Sequence, residues 1–513
     1  MTNGSDIAFA SAEALVELYR KKALSPVEAA DMLLARAEAL QPRLNSFCFL
    51  NRDGALAAAR ASEQRWRTGA PLSAIDGVPV TIKDIVLMRG YPTLRGSKLI
   101  DPDQDWSEDS PAVARLREAG AVILGKTTTP EFGWKAIGDS PLTGITRNPW
   151  NLERTPGGSS AGAAAACAAG IAPLNLGTDG AGSIRIPAAF TGIFGIKATF
   201  GRVPAYPASP LGLLSNVGPM TRHVRDAALM LNVLSRPDHR DPYALPPEGR
   251  NWLDGIDGGV RGLKIAYSPD LGYARVDPEI AAACADAARQ FEALGARVEE
   301  VREIFPSPRD ALLTLWAAGE ARVLAGFPAE KHHLCDPGLA AMAALGDKIS
   351  SVDYLGADVA RTMLGVRMGE FHQRYDLLLT PMIPVPALPV GRDLNDAAQE
   401  EQWWDWSPFS YPFNMTRQPA ASIPCGLTNA GLPIGLQIVG PLYAEDRVLR
   451  AARAFETTQP ERRPPLFAHM SHTLSFRGGQ RPSPESIFQR PVSMDSGPRP
   501  AGDPGGHVGD DLG

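Results

Sequence analysis

The sequence predicts an α/β fold, a largely parallel or mixed central sheet covered by helices on both faces. Short apolar runs bounded by Gly and Pro alternate with helical stretches, the pattern of βαβ units. The chain has 513 residues, long enough to bury a sizeable core. It also shows no fixed-period repeat, so a solenoid is excluded.

Residues 10–42 read as two helices, capped at Ser11 and at Ser25-Pro26, with Leu15, Leu18, Tyr19 and then Ala29, Met32, Leu33, Ala37 at helical spacing. The fold proper is expected to begin at Gly77. From there the order is a strand over 78–82, a helix over 110–118, a strand over 121–124, a small-residue helix over 160–169 and an apolar run over 171–176. A strand over 264–267 and a helix over 277–294 follow, and runs over 419–427 and 433–439 flank a turn as a late hairpin. The domain expected to act is 1–469, with core motifs over 77–205 and a late core over 415–442. Residues 470–513 hold eight Gly and six Pro with few large apolar side chains, the composition of a disordered tail.

Composition narrows the function. A formal net charge of −6 argues against a nucleic-acid footprint, which requires a basic patch. The longest Ala-rich uncharged stretch, 159–176, is broken by Gly162, Gly170 and Pro173 and makes a poor membrane span. The N-terminus lacks a basic start and an apolar core segment, which reads against export. Five scattered cysteines fit reduced thiols in a cytoplasmic compartment. His332, His333, Cys335 and Asp336 lack a matching second ligand pair, so they are expected to form a solvated loop, and no metal or other cofactor is expected.

Chemistry concentrates in three clusters. In the first, Gly77-Val-Pro-Val-Thr-Ile-Lys83-Asp84, a lysine amid apolar neighbours either snorkels or pairs with Asp84, or is held neutral as a general base. In the second, Thr155-Pro-Gly-Gly-Ser159-Ser160-Ala-Gly162 opens an Ala-rich helix. It matches G-x-S-x-G at Ser160, yet the proline-broken segment before it is no nucleophile-elbow strand, and helix capping is the plainer reading of both serines. In the third, Leu174 to Pro187, an apolar strand feeds Asp179-Gly-Ala-Gly-Ser183-Ile-Arg185, displaying a hydroxyl at the carboxyl end of a strand. The N–H groups of Gly180, Ala181, Gly182 and Ser183 are candidates for an oxyanion hole.

Together the clusters resemble the amidase signature family, whose pattern is a GVPxxxKD lysine, a PGGSS loop and a G-x-D-x-x-G-S-I-R segment 24 residues beyond the first serine. Ser159 and Ser183 stand at that interval. The likeness runs over roughly residues 10–465 and includes Gly125-Lys-Thr-Thr-Thr-Pro-Glu131, Gly195-Ile-Lys-Ala-Thr-Phe-Gly201, Gly218-Pro-Met-Thr-Arg222, Asp376-Leu-Leu-Leu-Thr-Pro381 and Gly431-Leu-Pro-Ile-Gly-Leu-Gln437. It implies the amidase-signature α/β/α fold and a Ser-Ser-Lys triad: Ser183 as nucleophile, Ser159 as bridging serine on a cis peptide, and Lys83 as base. Ser160, Asp179 and Arg185 match supporting positions. The chemistry is consistent, because a serine is a poor nucleophile until a base takes its proton, and a neutral buried amine can do so.

The activity implied is hydrolysis of carboxylic amides through a seryl acyl-enzyme. The substrate expected is a small-molecule amide, with carbamates (a urethanase-like activity) and esters as related classes. No nucleic-acid or membrane partner is expected, and a homodimer is the candidate assembly. A second reading is the A subunit of a glutamyl-tRNA(Gln) amidotransferase, against which stands Ile186, where that subgroup carries Gln. A non-catalytic binding homologue would lack a triad member, and all three are present. Gln402 to Phe413 sets six aromatics in twelve positions, read either as a buried lid or as an apolar substrate wall formed by Trp404, Trp406, Phe409 and Tyr411.

Overall fold

A computed structural model, which describes residues 7–467, has thirteen strands, six of them at or overlapping the apolar runs named above. They are β1 (Phe47–Leu50), β2 (Pro79–Lys83), β3 (Val122–Thr127), β4 (Asp139–Ser140), β5 (Gly144–Ile145), β6 (Leu174–Asp179) and β7 (Phe194–Lys197). After these come β8 (Asn216–Thr221), β9 (Lys264–Tyr267), β10 (Arg297–Glu300), β11 (Leu377–Pro381), β12 (Ala420–Leu427) and β13 (Pro433–Val439). Eleven of them form one sheet in the order β1-β3-β2-β6-β8-β7-β12-β13-β11-β9-β10, and β4 pairs with β5 apart from it.

The sheet is mixed. Strands β3, β2 and β6 run parallel, as do β11, β9 and β10, and the strands between are antiparallel. Alternation along each strand feeds two apolar layers: Leu377 and Leu379 face one, Leu378 the other. The helices Pro111–Glu118, Val224–Leu234, Pro278–Ala293 and Glu445–Glu456 cover the first layer. The helices Arg309–Leu324, Pro337–Gly346 and Ser351–Phe371 cover the second. This is the expected α/β fold with helices on both faces.

The two N-terminal helices span Ala12–Arg20 and Pro26–Leu44, with Ser11 capping the first and a Ser25–Glu28 capping box opening the second. The expectation that the fold begins at Gly77 is corrected, because Phe47–Leu50 already joins the main sheet antiparallel to β3. The run Phe47–Leu50 is apolar throughout and does not alternate, so periodicity alone does not mark it as a strand. Gly125 marks the crossing, since a Cβ there would stand 2.2 Å from the Phe49 carbonyl. The expected tail over 470–513 and the domain boundary at 469 lie outside the described residues. Among the described residues no helix is long and apolar enough to cross a membrane.

Candidate active site

Strands β2 and β6 lie side by side and parallel, so Lys83 and Asp179 arrive together at their carboxyl ends, where open α/β sheets gather polar groups. Strand alternation turns Val80 and Ile82 into the first apolar layer and sends Lys83 the other way. The amine is therefore not surrounded by those valine and isoleucine side chains, as the sequence suggests. Its Nζ donates to Ser159 Oγ at 2.7 Å and to Thr178 Oγ1 at 2.8 Å. Lys83 exposes no surface, and it neither snorkels nor pairs with Asp84, whose partner is Lys126 at 2.8 Å. Burial pushes the Lys83 amine well below its usual range, against the opposing pull of the Asp179 carboxylate.

Ser159 follows a cis peptide bond from Gly158. Its neighbour Ser160 is no helix cap: the helix Ala161–Ala168 receives no side-chain hydrogen bond from it. The Ser160 hydroxyl instead donates to the Thr178 carbonyl at 3.1 Å and accepts the Thr178 N–H at 3.2 Å. Fully buried and doubly engaged, it fastens the loop to the end of β6 and is not displayed as an elbow serine would be. Its N–H donates to the Ser183 carbonyl at 3.1 Å, which ties the two serine segments together through the main chain. The Ser183 hydroxyl itself bonds to no group among the described residues.

The turn carrying Ser183 is clamped by Asp179. That carboxylate accepts the Gly182 N–H at 2.7 Å, the Ile184 N–H at 3.2 Å and the Asn414 amide at 2.8 Å, and pairs with Arg185 at 3.0 Å. Burial raises the Asp179 pKa, but the charge and hydrogen bonds of Arg185 and the amide of Asn414 outweigh it and hold the carboxyl below the usual range. Four donors were expected for an oxyanion hole. Gly182 has spent its N–H on Asp179, so Gly180, Ala181 and Ser183 carry the N–H groups left unbonded within the described residues. Gly182 has φ 118, and a Cβ there would lie 2.5 Å from Ser410, so no other residue fits the turn.

Arg185 spreads the clamp further, donating to Gln437 Oε1 at 2.6 Å, to Asn414 Oδ1 at 2.5 Å and to the Ser410 carbonyl at 3.0 Å. Asn414, Gln437 and Thr178 are not among the site residues to which the sequence points. Gln437 sits in one of the matching motifs and Asn414 directly follows the aromatic run, so both had a signal; Thr178 had none. The aromatic run forms a 3₁₀ turn, Trp403–Trp406, and a short helix, Pro412–Met415. Trp404 and Phe409 expose nothing, and Trp406 and Tyr411 almost nothing, because all four pack in the second core layer beneath the turn. Their burial accords with the first of the two readings, a buried segment packed on the core. A Cβ on Gly180 would meet Leu211 at 3.2 Å and Trp316, buried in the same layer as the aromatic run, at 3.4 Å.

Residues 28–449 match the Amidase family. The chain belongs to that family. It is 36% identical over 445 residues to an acylamidase of Rhodococcus erythropolis, covering 85% of this chain and 93% of that one. It is also 36% identical over 476 residues to the A subunit of the glutamyl-tRNA(Gln) amidotransferase of Myxococcus xanthus, covering 86% and 96%. A bacterial aryl acylamidase of the amidase signature enzymes has the same fold, with TM-score 0.83 and 33% identity over 88% of this chain and 97% of that one. The amidase fold and family membership are thus established together, and this amidase is a hydrolase of C–N bonds.

Proposed function

We propose that the chain hydrolyses uncharged, bulky carboxylic amides, aryl amides first, through a seryl acyl-enzyme on Ser183. The observation that carries this reading is the fully buried Lys83 amine held only by two hydroxyls, at 2.7 and 2.8 Å. An ammonium without a carboxylate partner is costly to bury, so the neutral amine is favoured and has a lone pair for a proton.

Ser183 Oγ attacks the carbonyl carbon while its proton passes to Ser159 Oγ and the Ser159 proton passes to Lys83 Nζ. The Ser183–Ser159 contact forms as the acyl group is bound, in keeping with the looser geometry of unliganded sites. Free N–H groups of Gly180, Ala181 and Ser183 are suited to the developing oxyanion. The C–N bond then breaks, the leaving nitrogen takes the proton back through Ser159, and water repeats the cycle on the ester.

The preference for bulky apolar groups is supported by the half-buried Leu211, which lies against Gly180. Carbamates and esters present the same carbonyl and belong to the same proposal, as does a cytoplasmic setting. The amidotransferase reading is favoured by the Myxococcus relative and opposed by Ile186, a fully buried apolar residue that offers no amide.

The test is kcat/KM on an anilide, an aryl carbamate, acetamide and glutamine, with hydroxylamine added. The anilide is expected to lead, and hydroxamate to appear at the expense of acid. Faster glutamine turnover would favour the amidotransferase reading, and the absence of hydroxamate would point to direct water attack.

A further inference from the structure

The helix Ser351–Phe371 buries one face and leaves the opposite one apolar. Ala357, Arg361, Leu364 and Met368, spaced by four and three residues, pack inward. On the far side Val352, Leu355, Val359, Met363 and Val366 are 76, 61, 62, 58 and 48% exposed. At 100° per residue these five fall within one stripe diametrically opposite the buried face, about 21 Å long. Surface apolar residues scattered singly need no explanation, but a contiguous stripe does. Gly356, Gly365 and Gly369 lower helix propensity by roughly 1 kcal/mol each relative to Ala. No atom lies within 4 Å of a Cβ built on Gly356 or Gly369, which flank the stripe, so a second helix has room to approach closely.

We infer that this stripe is the contact surface for a second copy of the chain, paired antiparallel about a two-fold axis at Val359. The spacing is self-complementary: Val352 falls level with Val366 of the second copy and Leu355 with its Met363, as an isologous interface requires. Val352, Leu355, Val359 and Val366 recur at the three-and-four spacing of a two-helix seam. Charge fixes the direction. Exposed Arg367 comes within two residues of level with Asp353 of the second copy, and exposed Glu370 lies toward the helix start that Lys348 of the second copy precedes. A parallel pair would set each of these against itself. Arg367, Glu370 and Lys348 have no ion-pair partner among the described residues, so the pairing displaces none. A membrane surface is the poorer occupant, because residues 346–371 carry three cations against four anions where an interfacial helix shows a basic face.

Sedimentation velocity and light scattering on the full chain are expected to give twice the mass of one chain. Val359→Glu, at a site where no folding contact is lost, is expected to raise the dimer Kd about tenfold or more while leaving the circular dichroism spectrum unchanged. Val359→Cys is expected to cross-link to itself on oxidation. Val352→Cys is expected not to, but to cross-link when mixed with Val366→Cys. A single-chain mass at every concentration, a dimer indifferent to Val359→Glu, or self-cross-linking of Val352→Cys would overturn the inference. So would flotation of a single-chain species with phosphatidylcholine vesicles that Val359→Glu abolishes.

Discussion

Lys83 and Lys126 stand at the ends of neighbouring parallel strands, one register position apart, and neither exposes any surface. Lys126 has a carboxylate, Asp84, at 2.8 Å. Lys83 has two hydroxyls. The same side chain at the same depth is thus a structural ion in one place and, in the proposed mechanism, a proton acceptor in the other, and the partner decides which. A lysine in an apolar sequence window carries no meaning until the groups facing it are known.

The largest effect tests the acceptor side. Ser183→Ala is expected to lower kcat by about 10⁴-fold or more with an unchanged melting curve, since only oxyanion and binding effects survive. A smaller loss than that of Ser160→Ala would remove Ser183 from the proposal.

Replacing each lysine by Met separates the two roles. Lys83→Met is expected to cost about 10²–10⁴ in kcat, the usual worth of a general base. Its stability at neutral pH is expected to hold or rise, because a desolvated amine is removed. Lys126→Met strands the buried Asp84 charge and is expected to lose about 3–5 kcal/mol. The pH dependence carries the sign. The folded pKa of Lys83 lies well below 10.5, so between the two values the unfolded chain binds the extra proton and stability rises with pH. The margin of Lys83→Met over the parent chain should therefore shrink as pH climbs toward 10.5, while wild-type turnover rises with pH. Denaturant titrations at several pH values in which both variants fall alike would end the comparison.

Trp404→Ala is expected to cost about 3–5 kcal/mol as a core cavity while keeping the order of substrate preference. A changed preference with an unchanged melting temperature would restore a pocket role. Smallest is Thr178→Val, which leaves the amine with one partner: kcat/KM should fall about tenfold, the worth of one hydrogen bond to a charged or charging group. No change would make Thr178 a bystander.

Much of this was legible in the sequence, for identifiable reasons. Caps at Ser11 and Ser25, the late hairpin and the three clusters are local, and their chemistry is written within a few residues. What escaped depends on side-chain neighbours far apart in the chain. That Asp84 faces Lys126, that Thr178 touches Lys83, and that Gly182 gives its N–H to Asp179 are facts of strand order and turn shape. Strand β1 escaped because Phe47–Leu50 is an unbroken apolar run without alternation, which periodicity cannot tell from a piece of buried helix. The aromatic run left two readings open, because density of aromatics signals burial as readily as it signals a ligand.

The Arg185 hub has a consequence for synthesis. Asp179 meets Asn414 across 235 positions of sequence and Arg185 meets Gln437 across 252. A ribosome that has delivered the lysine and all three serines of the two motifs has not yet delivered the residues that hold the nucleophile turn in shape. On the proposed mechanism hydrolytic competence is expected only after Gln437 has been added, and a polypeptide that stops short of it carries the proposed reactive groups without the partners that clamp their turn.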